Sequence, residues 1–419
     1  MRILYVDHYI GNDDYGIEYR PFFLSREWAK TGHDVTIVGA SFSHLRKKNP
    51  VVEKDFDEEY TDGVRFCWVK APKYTDNSVF RTINIFTFVN KLKKNAQYIA
   101  EKYKPDLVIA SSTYPMDIVP CKMIADIAKA RLVFEIHDLW PLTQMTFGNL
   151  SKKNPVVKYL QKYEDIAFTQ ADSIISILSH ADKHIKERNV NNFFFHFVPN
   201  GVIINQNNEK PELPEEHTKL IGELKAQKKF IVMYVGGHTV SNALMTLMDS
   251  SPLLPENAVI VMVGNGLSKQ ELIDTCNRKD YENIYFLPFV TKKQVDEVQK
   301  LADCLYIGAK KCELYKYGAG MNKYYDYMLS KKPIINGVEA AFDVVEAAGC
   351  GITVPPESES AIAAAVRIFT EMTEQERQRL GQNGYDYVIS NHDYRILAER
   401  FLNYIREDSS ENESTRRVP

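Results

Sequence analysis

The sequence contains little that would anchor the chain in a membrane, cross-link it or bind a metal. Its six cysteines are scattered and form no Cys-x-x-Cys pair, and a disulfide framework is typical of much shorter secreted chains. No run of about 18 apolar residues predicts a transmembrane helix. The N-terminus reaches Asp7 after too few apolar residues for the core of a signal peptide. We therefore expect a cytoplasmic protein with reduced thiols.

A strong excess of either charge is also missing. The formal net charge of −3 argues against a dedicated nucleic-acid-binding protein, so we expect no nucleic acid partner. Hydrophobic residues make up 44% of the chain and charged residues 26%, which excludes a disordered chain. With 419 residues, the chain is long enough for two large domains.

Short apolar runs alternate with longer segments of helical period along most of the chain. This alternation is typical of parallel sheets that helices cover on both faces. The runs fall into two sets, which predict an α/β protein with two Rossmann-like, doubly wound domains facing across a cleft. The first set is 2–6, 34–39, 106–111, 131–136, 173–178 and 194–199, and the second is 230–236, 258–264, 283–288, 304–309, 332–336 and 350–355.

Polar and Pro-rich stretches set the predicted domain boundaries. Residues 204–219 contain Pro211 and Pro214 and are typical of a linker. We predict an N-terminal domain over 1–203 and a C-terminal domain over 220–385. A C-terminal helix over 386–408 is predicted to pack back on the N-terminal domain, and the tail 409–419 has no apolar period and is predicted to be disordered.

Ligands of open parallel sheets bind at the carboxyl ends of the strands, so the loops after the strands should carry the chemistry. Gly236, Gly237 and His238 follow a strand and precede a helix predicted from about Val240. Glycines there let backbone amides approach a phosphate, and a helix N-terminus favours its charge. The alternative is a tight turn, and a turn is also the favoured interpretation of Val-Gly-Asn-Gly at 263–266.

The densest candidate segment is 310–335. Its lysines, including Lys310, Lys311 and Lys323, surround a glycine-containing loop that enters a helix near Asn322. Asp326 lies three residues after Lys323, so the two share a helix face. Cations followed by a carboxylate suit a nucleoside diphosphate, whose phosphates and ribose hydroxyls they would bind. The alternative is a solvated basic loop with a surface ion pair.

Two segments of the first domain are also candidates. His137 and Asp138 follow a buried strand, where a histidine serves either structure or acid–base chemistry. Gly16 begins a predicted helix whose first turn contains Arg20. Asp13-Asp14 has no third acidic ligand at suitable spacing, so we predict no metal site there.

Residues 77–100 contain no Asp or Glu, but hold Arg81, Lys91, Lys93 and Lys94 beside an apolar side. That side consists of Phe80, Ile83, Phe86, Phe88 and Leu92. The segment predicts either a basic amphipathic helix on an anionic membrane surface or a core-packing helix with a solvated face.

These segments together resemble the retaining GT-B glycosyltransferases of family 4 (glycosyltransferase group 1), especially the WbuB-like subgroup that builds capsule and O-antigen. The resemblance runs through nearly the whole chain in the family's order. Its motifs are YGIEYR (15–20), TGHDVTIVGA (31–40), EIHDLWP (135–141), PNGV (199–202), GGHTVSNAL (236–244), VGNG (263–266), GMNKYYDYMLSKKPII (320–335) and CGITVPP (350–356).

The resemblance implies roles for particular residues. Gly16 would shape the loop below the donor diphosphate, and His137 would contact the transferred sugar or position the acceptor. Lys311 and Lys323 would neutralise phosphate, and Asp326 would hold the ribose. The remaining implied binding residues are Arg20, Asp138, Gly236, Gly237, His238, Phe289, Lys310, Gly320, Met321 and Asn322.

The sequence departs from the family in two places. The family's acidic pair has a Glu eight residues before the second carboxylate, and Gly318 stands there instead. The Arg and Lys that usually follow the Gly-Gly loop are also missing, which raises the expected importance of Lys310, Lys311 and Lys323.

We therefore expect a metal-independent, retaining transferase that uses a UDP-sugar and needs no cofactor. The acceptor would be a lipid-linked or other saccharide in bacterial surface polysaccharide synthesis, and the enzyme could sit peripherally at the inner face of the plasma membrane. Two alternatives remain open: a GT-B nucleotide-sugar 2-epimerase and a non-catalytic nucleotide-sugar-binding subunit.

Overall fold

The computed structural model describes residues 1–17, 19–75, 79–204 and 211–416, the last five of these by their backbone only. The chain divides into two compact units. The first unit comprises Met1–Asn200, Tyr317–Gly320 and the segment from Tyr394, and the second comprises Gly201–Lys316 and Met321–Asp393. Each is an α/β unit built on a parallel sheet, which confirms the predicted fold class.

The first unit contains an eight-stranded sheet of order β3-β4-β2-β1-β5-β6-β7-β8, in which only the β3–β4 pair is antiparallel. Its strands are β1 (Arg2–Val6), β2 (Asp34–Ala40), β3 (Asp57–Thr61), β4 (Val64–Val69), β5 (Leu107–Ala110), β6 (Arg131–Ile136), β7 (Ser173–Ser176) and β8 (Phe195–Phe197). Its helices are α1 (Tyr19–Lys30), α2 (Val79–Lys94), α3 (Ala96–Tyr103), α4 (Ile118–Ala128), α5 (Leu142–Phe147), α6 (Pro155–Gln170), α7 (Ala181–Glu187) and α16 (Tyr394–Arg416).

The second unit contains a six-stranded, fully parallel sheet of order β11-β10-β9-β12-β13-β14. Its strands are β9 (Phe230–Val235), β10 (Ala258–Val263), β11 (Ile284–Leu287), β12 (Cys304–Gly308), β13 (Ile334–Gly337) and β14 (Gly351–Thr353). Its helices are α8 (Glu215–Ala226), α9 (Leu244–Asp249), α10 (Lys269–Arg278), α11 (Val295–Gln299), α12 (Asn322–Leu329), α13 (Val344–Ala348), α14 (Glu359–Glu371) and α15 (Glu374–Asn391). The central strands β9, β10 and β12 are buried along their whole length, as a sheet covered on both faces requires.

The predicted linker overlaps a helix. α8 begins at Glu215, so residues 215–219 are helical, while 205–210 lie outside the described residues. Acidic residues at positions 215 and 216 in the first turn favour a helix start there.

The C-terminal part differs from its prediction. The single predicted helix over 386–408 is two helices, α15 and α16, separated at His392 and Asp393. Residues 409–416, predicted to be disordered, continue α16, and residues 417–419 lie outside the described residues. Asp408 is buried and accepts hydrogen bonds from Ser173 and His196, which fixes this end of the helix.

α16 packs on the first unit, to which it belongs. The indole nitrogen of Trp28 on α1 donates to the carbonyl of Ala398 at 2.8 Å, and its ring packs against Phe401. Both aromatic side chains are buried, so α16 covers an apolar face of α1.

Candidate functional site

The strand order of the second unit fixes where a ligand can bind. β9 and β12 are neighbours in the sheet but not in sequence, so their outgoing connections run in opposite directions. A crevice forms at the carboxyl ends of such a pair, and this is where open α/β sheets hold ligands. Gly236 and Gly237 follow β9, and Lys310 lies two residues beyond β12. The structure therefore places these predicted residues at one edge of the sheet.

The backbone at Gly236 has a shape that requires glycine. Its φ is +151°, and a Cβ there would lie 2.5 Å from Cε of Lys323. The loop after β10 also approaches Gly236 closely, since a Cβ at Gly264 would lie 2.0 Å from the Gly236 carbonyl oxygen. The Val-Gly-Asn-Gly segment, which leaves β10 after Val263, thus packs closely against the Gly-Gly loop.

Lys323 is the central cation of this loop. It lies in the first turn of α12, and its Nζ donates to Oδ1 of Asn242 at 3.0 Å and sits 4.9 Å from the centre of the Tyr234 ring. Burial lowers the pKa of Lys323 to about 8, and no charged neighbour opposes that effect. Among the described residues, no carboxylate pairs with Lys323. A half-buried ammonium without a carboxylate partner beside a glycine loop favours an anionic ligand.

The other predicted lysines differ in their surroundings. The amide of Lys310 donates to the carbonyl of Ser241 at 3.0 Å, so its backbone lies against the Gly-Gly loop. Lys311 is exposed, and its Nζ is 3.2 Å from a carboxylate oxygen of Glu339. Because Lys311 already has an acidic partner, Lys323 is the stronger candidate for an anion site.

Asp326 does not pair with Lys323, although both are on α12. Both of its carboxylate oxygens accept hydrogen bonds from Nζ of Lys292 at 2.7 Å. Lys292 is three residues after Phe289, whose ring is 64% exposed. Asp326 therefore lies beside the loop that contains Phe289, one of the predicted binding residues, and one helical turn from Lys323.

His238 is buried inside the loop rather than presented at its surface. Its amide donates to the carbonyl of Asn265 at 2.8 Å, and neither ring nitrogen has a hydrogen-bond partner among the described residues. Burial, followed by the charges of Lys269 and Lys323, lowers the pKa of His238 to about 4. The neutral ring supports the loop and leaves the positive charge to Lys323.

The helix predicted from about Val240 begins later. Val240–Asn242 form a single 3-10 turn, Ala243 has a φ of +48°, and α9 starts at Leu244. The Gly-Gly loop is therefore not followed directly by an α-helix N-terminus, and Asn242 in the intervening turn contacts Lys323 instead. The turn also holds the loop, because Asn242 Nδ2 donates to the Gly237 carbonyl at 2.8 Å.

The glycine segment before α12 explains the missing acidic residue. Gly318 has a φ of +120°, and a Cβ there would lie 2.6 Å from the backbone nitrogen of Ser179. A Cβ at Gly320 would lie 2.6 Å from a methyl carbon of Ile177. At Gly318 the contact is with backbone, so this position has no room for a carboxylate side chain in this conformation. Met321 occupies the N-cap position of α12, and the exposed Asn322 begins the helix, as predicted.

In the first unit, His137 belongs to a buried polar network at the end of β6. Its Nε2 is 2.7 Å from Oγ of Ser111 and 3.1 Å from Glu135, and Ser111 donates to Glu135 at 2.7 Å. Since Ser111 gives its own proton to Glu135, this arrangement assigns a proton to Nε2 of His137. Nε2 of His137 is therefore engaged by Ser111 and Glu135 within this network.

Glu135 is completely buried and stays ionised through its partners. Arg20 donates to it at 2.9 Å, and Tyr5 donates through its hydroxyl. Burial alone would raise the pKa of Glu135, but the Arg20 guanidinium and then His137 hold it far below its ordinary value. Arg20 also donates to the carbonyls of residues 198 and 199, so this predicted binding residue is internal to the unit.

Two other predicted residues of the first unit shape loops. Gly16 has a φ of +75° and precedes α1, which starts at Tyr19 rather than at Gly16. Asp138 accepts hydrogen bonds from the amide of Leu139 and the hydroxyl of Thr143, and burial raises its pKa. Its carboxyl group is thus engaged in the turn that leads to α5.

Sequence reasoning did not assign Glu135, Ser111 or Asn242. Glu135 had a recognisable signal, because it is a charged residue inside the apolar run of β6. Ser111 and Asn242 had no recognisable sequence signal, because their contacts with His137 and Lys323 join distant parts of the chain. No group of three or more His, Cys, Asp or Glu residues suited to a metal occurs in the described ranges.

Comparisons with known proteins match both halves of the chain. Residues 16–206 match the family model Glycosyltransferase Family 4, and residues 217–387 match the model Glycosyl transferases group 1. Comparison with curated proteins gives no match.

Several solved structures share the fold over almost their whole length. HepE from Anabaena in complex with UDP and glucose is 15% identical, with a TM-score of 0.67 over 97% of this chain and 99% of that one. Sucrose-phosphate synthase from Thermosynechococcus elongatus is 15% identical, with a TM-score of 0.71 over 98% and 100%. WaaG, a glycosyltransferase involved in lipopolysaccharide biosynthesis, is 13% identical, with a TM-score of 0.61 over 95% and 98%. These likenesses confirm the GT-B fold.

Proposed function

Because this chain is a glycosyltransferase with a family 4 domain followed by a group 1 domain, we propose that it is a retaining enzyme that transfers a sugar from a UDP-sugar. The proposed sugar is an N-acetylated hexose or deoxyhexose. The proposed acceptor is a lipid-linked saccharide in bacterial surface polysaccharide synthesis. HepE, which shares the fold, is described in complexes with UDP and with UDP-glucose, and this supports the choice of nucleotide.

The observation that carries the proposal is the unpaired Lys323 beside Gly236. A nucleoside diphosphate is the ligand whose charge this arrangement would compensate, and Asp326, one turn further along α12, could accept from the ribose hydroxyls. When the sugar leaves, negative charge grows on the β-phosphate, so a preorganised cation stabilises the transition state more than the ground state. Lys323 supplies this charge without a metal, which is why we propose metal-independent transfer.

Retention fits a same-face transfer. The acceptor hydroxyl would attack C1 of the sugar on the face from which UDP departs, and its proton would pass to the departing phosphate oxygen. This route needs no protein nucleophile. We assign His137, whose Nε2 contacts Ser111 at the end of β6, to hydrogen bonding with the transferred sugar or the acceptor.

Incubation of the purified protein with UDP-GlcNAc alone separates this proposal from its rivals. Slow release of UDP and free sugar supports a transferase, epimerised nucleotide sugar would support a 2-epimerase, and binding without turnover would support a non-catalytic subunit. Lys323→Met tests the site itself and should strongly reduce UDP-dependent thermal stabilisation. Lys219→Met is the matched control, because Lys219 is an exposed lysine of α8 outside the candidate site. Unchanged UDP stabilisation in Lys323→Met would contradict the proposal.

We also propose that the enzyme docks on an anionic membrane through α2. The structure revises which residues do so: Phe88 and Leu92 are buried, whereas Val79, Phe80, Ile83 and Phe86 are exposed. Lys91 pairs with Asp55 at 2.8 Å, and Arg81 packs over Tyr9.

By helical periodicity, the exposed Lys93 and Lys94 share the face of the exposed apolar residues. Residues 77 and 78 lie outside the described residues, and no described helix is of a length and apolarity to traverse a bilayer.

Co-sedimentation with anionic vesicles tests this docking. Lys93→Glu/Lys94→Glu should weaken binding to anionic vesicles by roughly tenfold or more at low salt, and the difference should fade at high salt. Lys219→Glu/Lys225→Glu is the matched control, because it makes the same charge change on the exposed side of α8. Equal binding of the two variants would exclude α2 as the docking surface.

A further inference from the structure

A groove of about 680 Å³ lies on the first unit, away from the network around His137. Residues of α5, α6 and α7 line it, and its size is within the ~300–1,000 Å³ typical of ligand sites. Its lining is chemically divided between an apolar part and a basic part. The apolar part consists of Leu142, Met145, Val157 and Ile166.

Three lysines form the basic part. Lys158 and Lys162 are one turn apart on the same face of α6, and Lys152 precedes the helix. All three are exposed, and none pairs with a carboxylate in the part of the chain that the structure describes. Their charges repel each other and have no internal compensation.

The acidic residues of the groove are already engaged. Asp165 lies one turn beyond Lys162, but it accepts hydrogen bonds from Arg188 at 2.9 and 3.0 Å. Glu187 accepts from the hydroxyl of Tyr317 at 2.6 Å. The groove therefore keeps a net positive charge next to an apolar lining, and its complement is a ligand with an anionic head and an apolar chain.

We propose that this groove binds a single phosphorylated lipid, with the phosphate at Lys152, Lys158 and Lys162 and the start of the apolar chain on Leu142 and Met145. The inference rests on the proposed function, in which a lipid-linked saccharide is the acceptor, and it assigns the acceptor's lipid phosphate to this groove. A concave site takes one lipid, whereas the exposed face of α2 suits a bilayer surface.

Titration calorimetry with dodecyl phosphate, below its micelle concentration, tests the proposal. We expect Lys162→Glu to weaken binding at least tenfold. Lys183→Glu, the same change at an exposed lysine of α7 outside the groove lining, should leave binding within twofold of wild type. Equal affinity of the two variants for dodecyl phosphate would overturn the proposal.

Four comparison ligands complete the test. Neutral dodecyl maltoside and inorganic phosphate should each bind at least tenfold more weakly than dodecyl phosphate, and comparable affinity of either would overturn the two-part site. Lys162→Glu should bind anionic vesicles as wild type does, and a loss there would assign Lys162 to bilayer docking instead. UDP affinity separates this inference from the proposed function: an intact lipid site with no UDP binding would contradict only the nucleotide-dependent activity.

Discussion

Binding of UDP near pH 8 should be accompanied by proton uptake at Lys323. In the free protein burial lowers the pKa of Lys323 from the ordinary 10.5 to about 8, so about half of the ammonium groups are deprotonated at pH 8. A bound diphosphate restores the charged form, because an anion beside an ammonium raises its pKa. We expect uptake of about half a proton per UDP at pH 8, and almost none at pH 6.5, where Lys323 is already charged.

Calorimetry in buffers of different ionisation enthalpy, such as HEPES and Tris, measures this uptake directly. Lys323→Met should bind UDP weakly and show no buffer dependence. A binding enthalpy that is the same in both buffers at pH 8 would refute the assignment of Lys323 to the diphosphate.

The same substitution should stabilise the protein. A pKa lowered from 10.5 to about 8 corresponds to a folding cost of roughly 3 kcal/mol for the charged form, at ~1.4 kcal/mol per pKa unit. The folded protein loses this proton near pH 8 and the unfolded chain near 10.5, so the cost is complete below pH 8 and disappears as the pH approaches 10.5. We expect Lys323→Met to unfold at higher denaturant concentration than wild type at pH 7, and the difference to shrink by pH 10. Equal stability at pH 7 would contradict the buried, uncompensated charge.

Four further outcomes are expected. Asp326→Asn should weaken UDP binding by ~1 kcal/mol while inorganic diphosphate binds as in wild type, because the proposed partner of Asp326 is ribose. Calorimetry with both ligands checks this, and an equal loss of affinity for the two would exclude ribose binding by Asp326. Transfer activity should survive EDTA, and activity lost in chelator but restored by magnesium or manganese would reverse the metal-free proposal. Gly318→Ala should lower the free energy of unfolding by ~1–3 kcal/mol in denaturant unfolding, because residue 318 has a φ of +120° and the new Cβ would meet the Ser179 backbone. An unchanged unfolding midpoint would be inconsistent with this packing. Glu135→Gln should cost ~3–5 kcal/mol, since it leaves Arg20 buried without its carboxylate, and a stability equal to wild type would show that the pair is dispensable.

Most of the sheet architecture could be predicted because buried parallel strands have a strong apolar signal. Each of the twelve predicted runs overlaps a strand, and β1 and β6 match to the residue. The missed pair is β3 and β4. Residues 57–61 of β3 read Asp-Glu-Glu-Tyr-Thr, an edge strand without an apolar face, although the Asp62-Gly63 turn is a recognised hairpin signal.

The site was less predictable than the fold. The glycine loop and Lys323 could be identified from local sequence, because close backbone approach and a basic residue near a helix start both leave a local pattern. The environment of each lysine could not be identified from local sequence. Lys311 and Lys323 look alike in sequence, yet one pairs with Glu339 and the other lies beside Asn242, and both partners are remote in the chain. Asp408 escaped prediction for the same reason, since its partners are Ser173 and His196.

Helix α16 has a consequence for how the protein is made. The first unit needs residues from Tyr394 onwards, so a ribosome that has finished the first 200 residues has not yet supplied the helix that covers Trp28. During synthesis of the second unit, the apolar face of α1 is therefore not yet covered by α16. The second unit is complete at Asp393 and can fold before the first is closed. In this protein the N-terminal unit, although it is translated first, is the last to be finished.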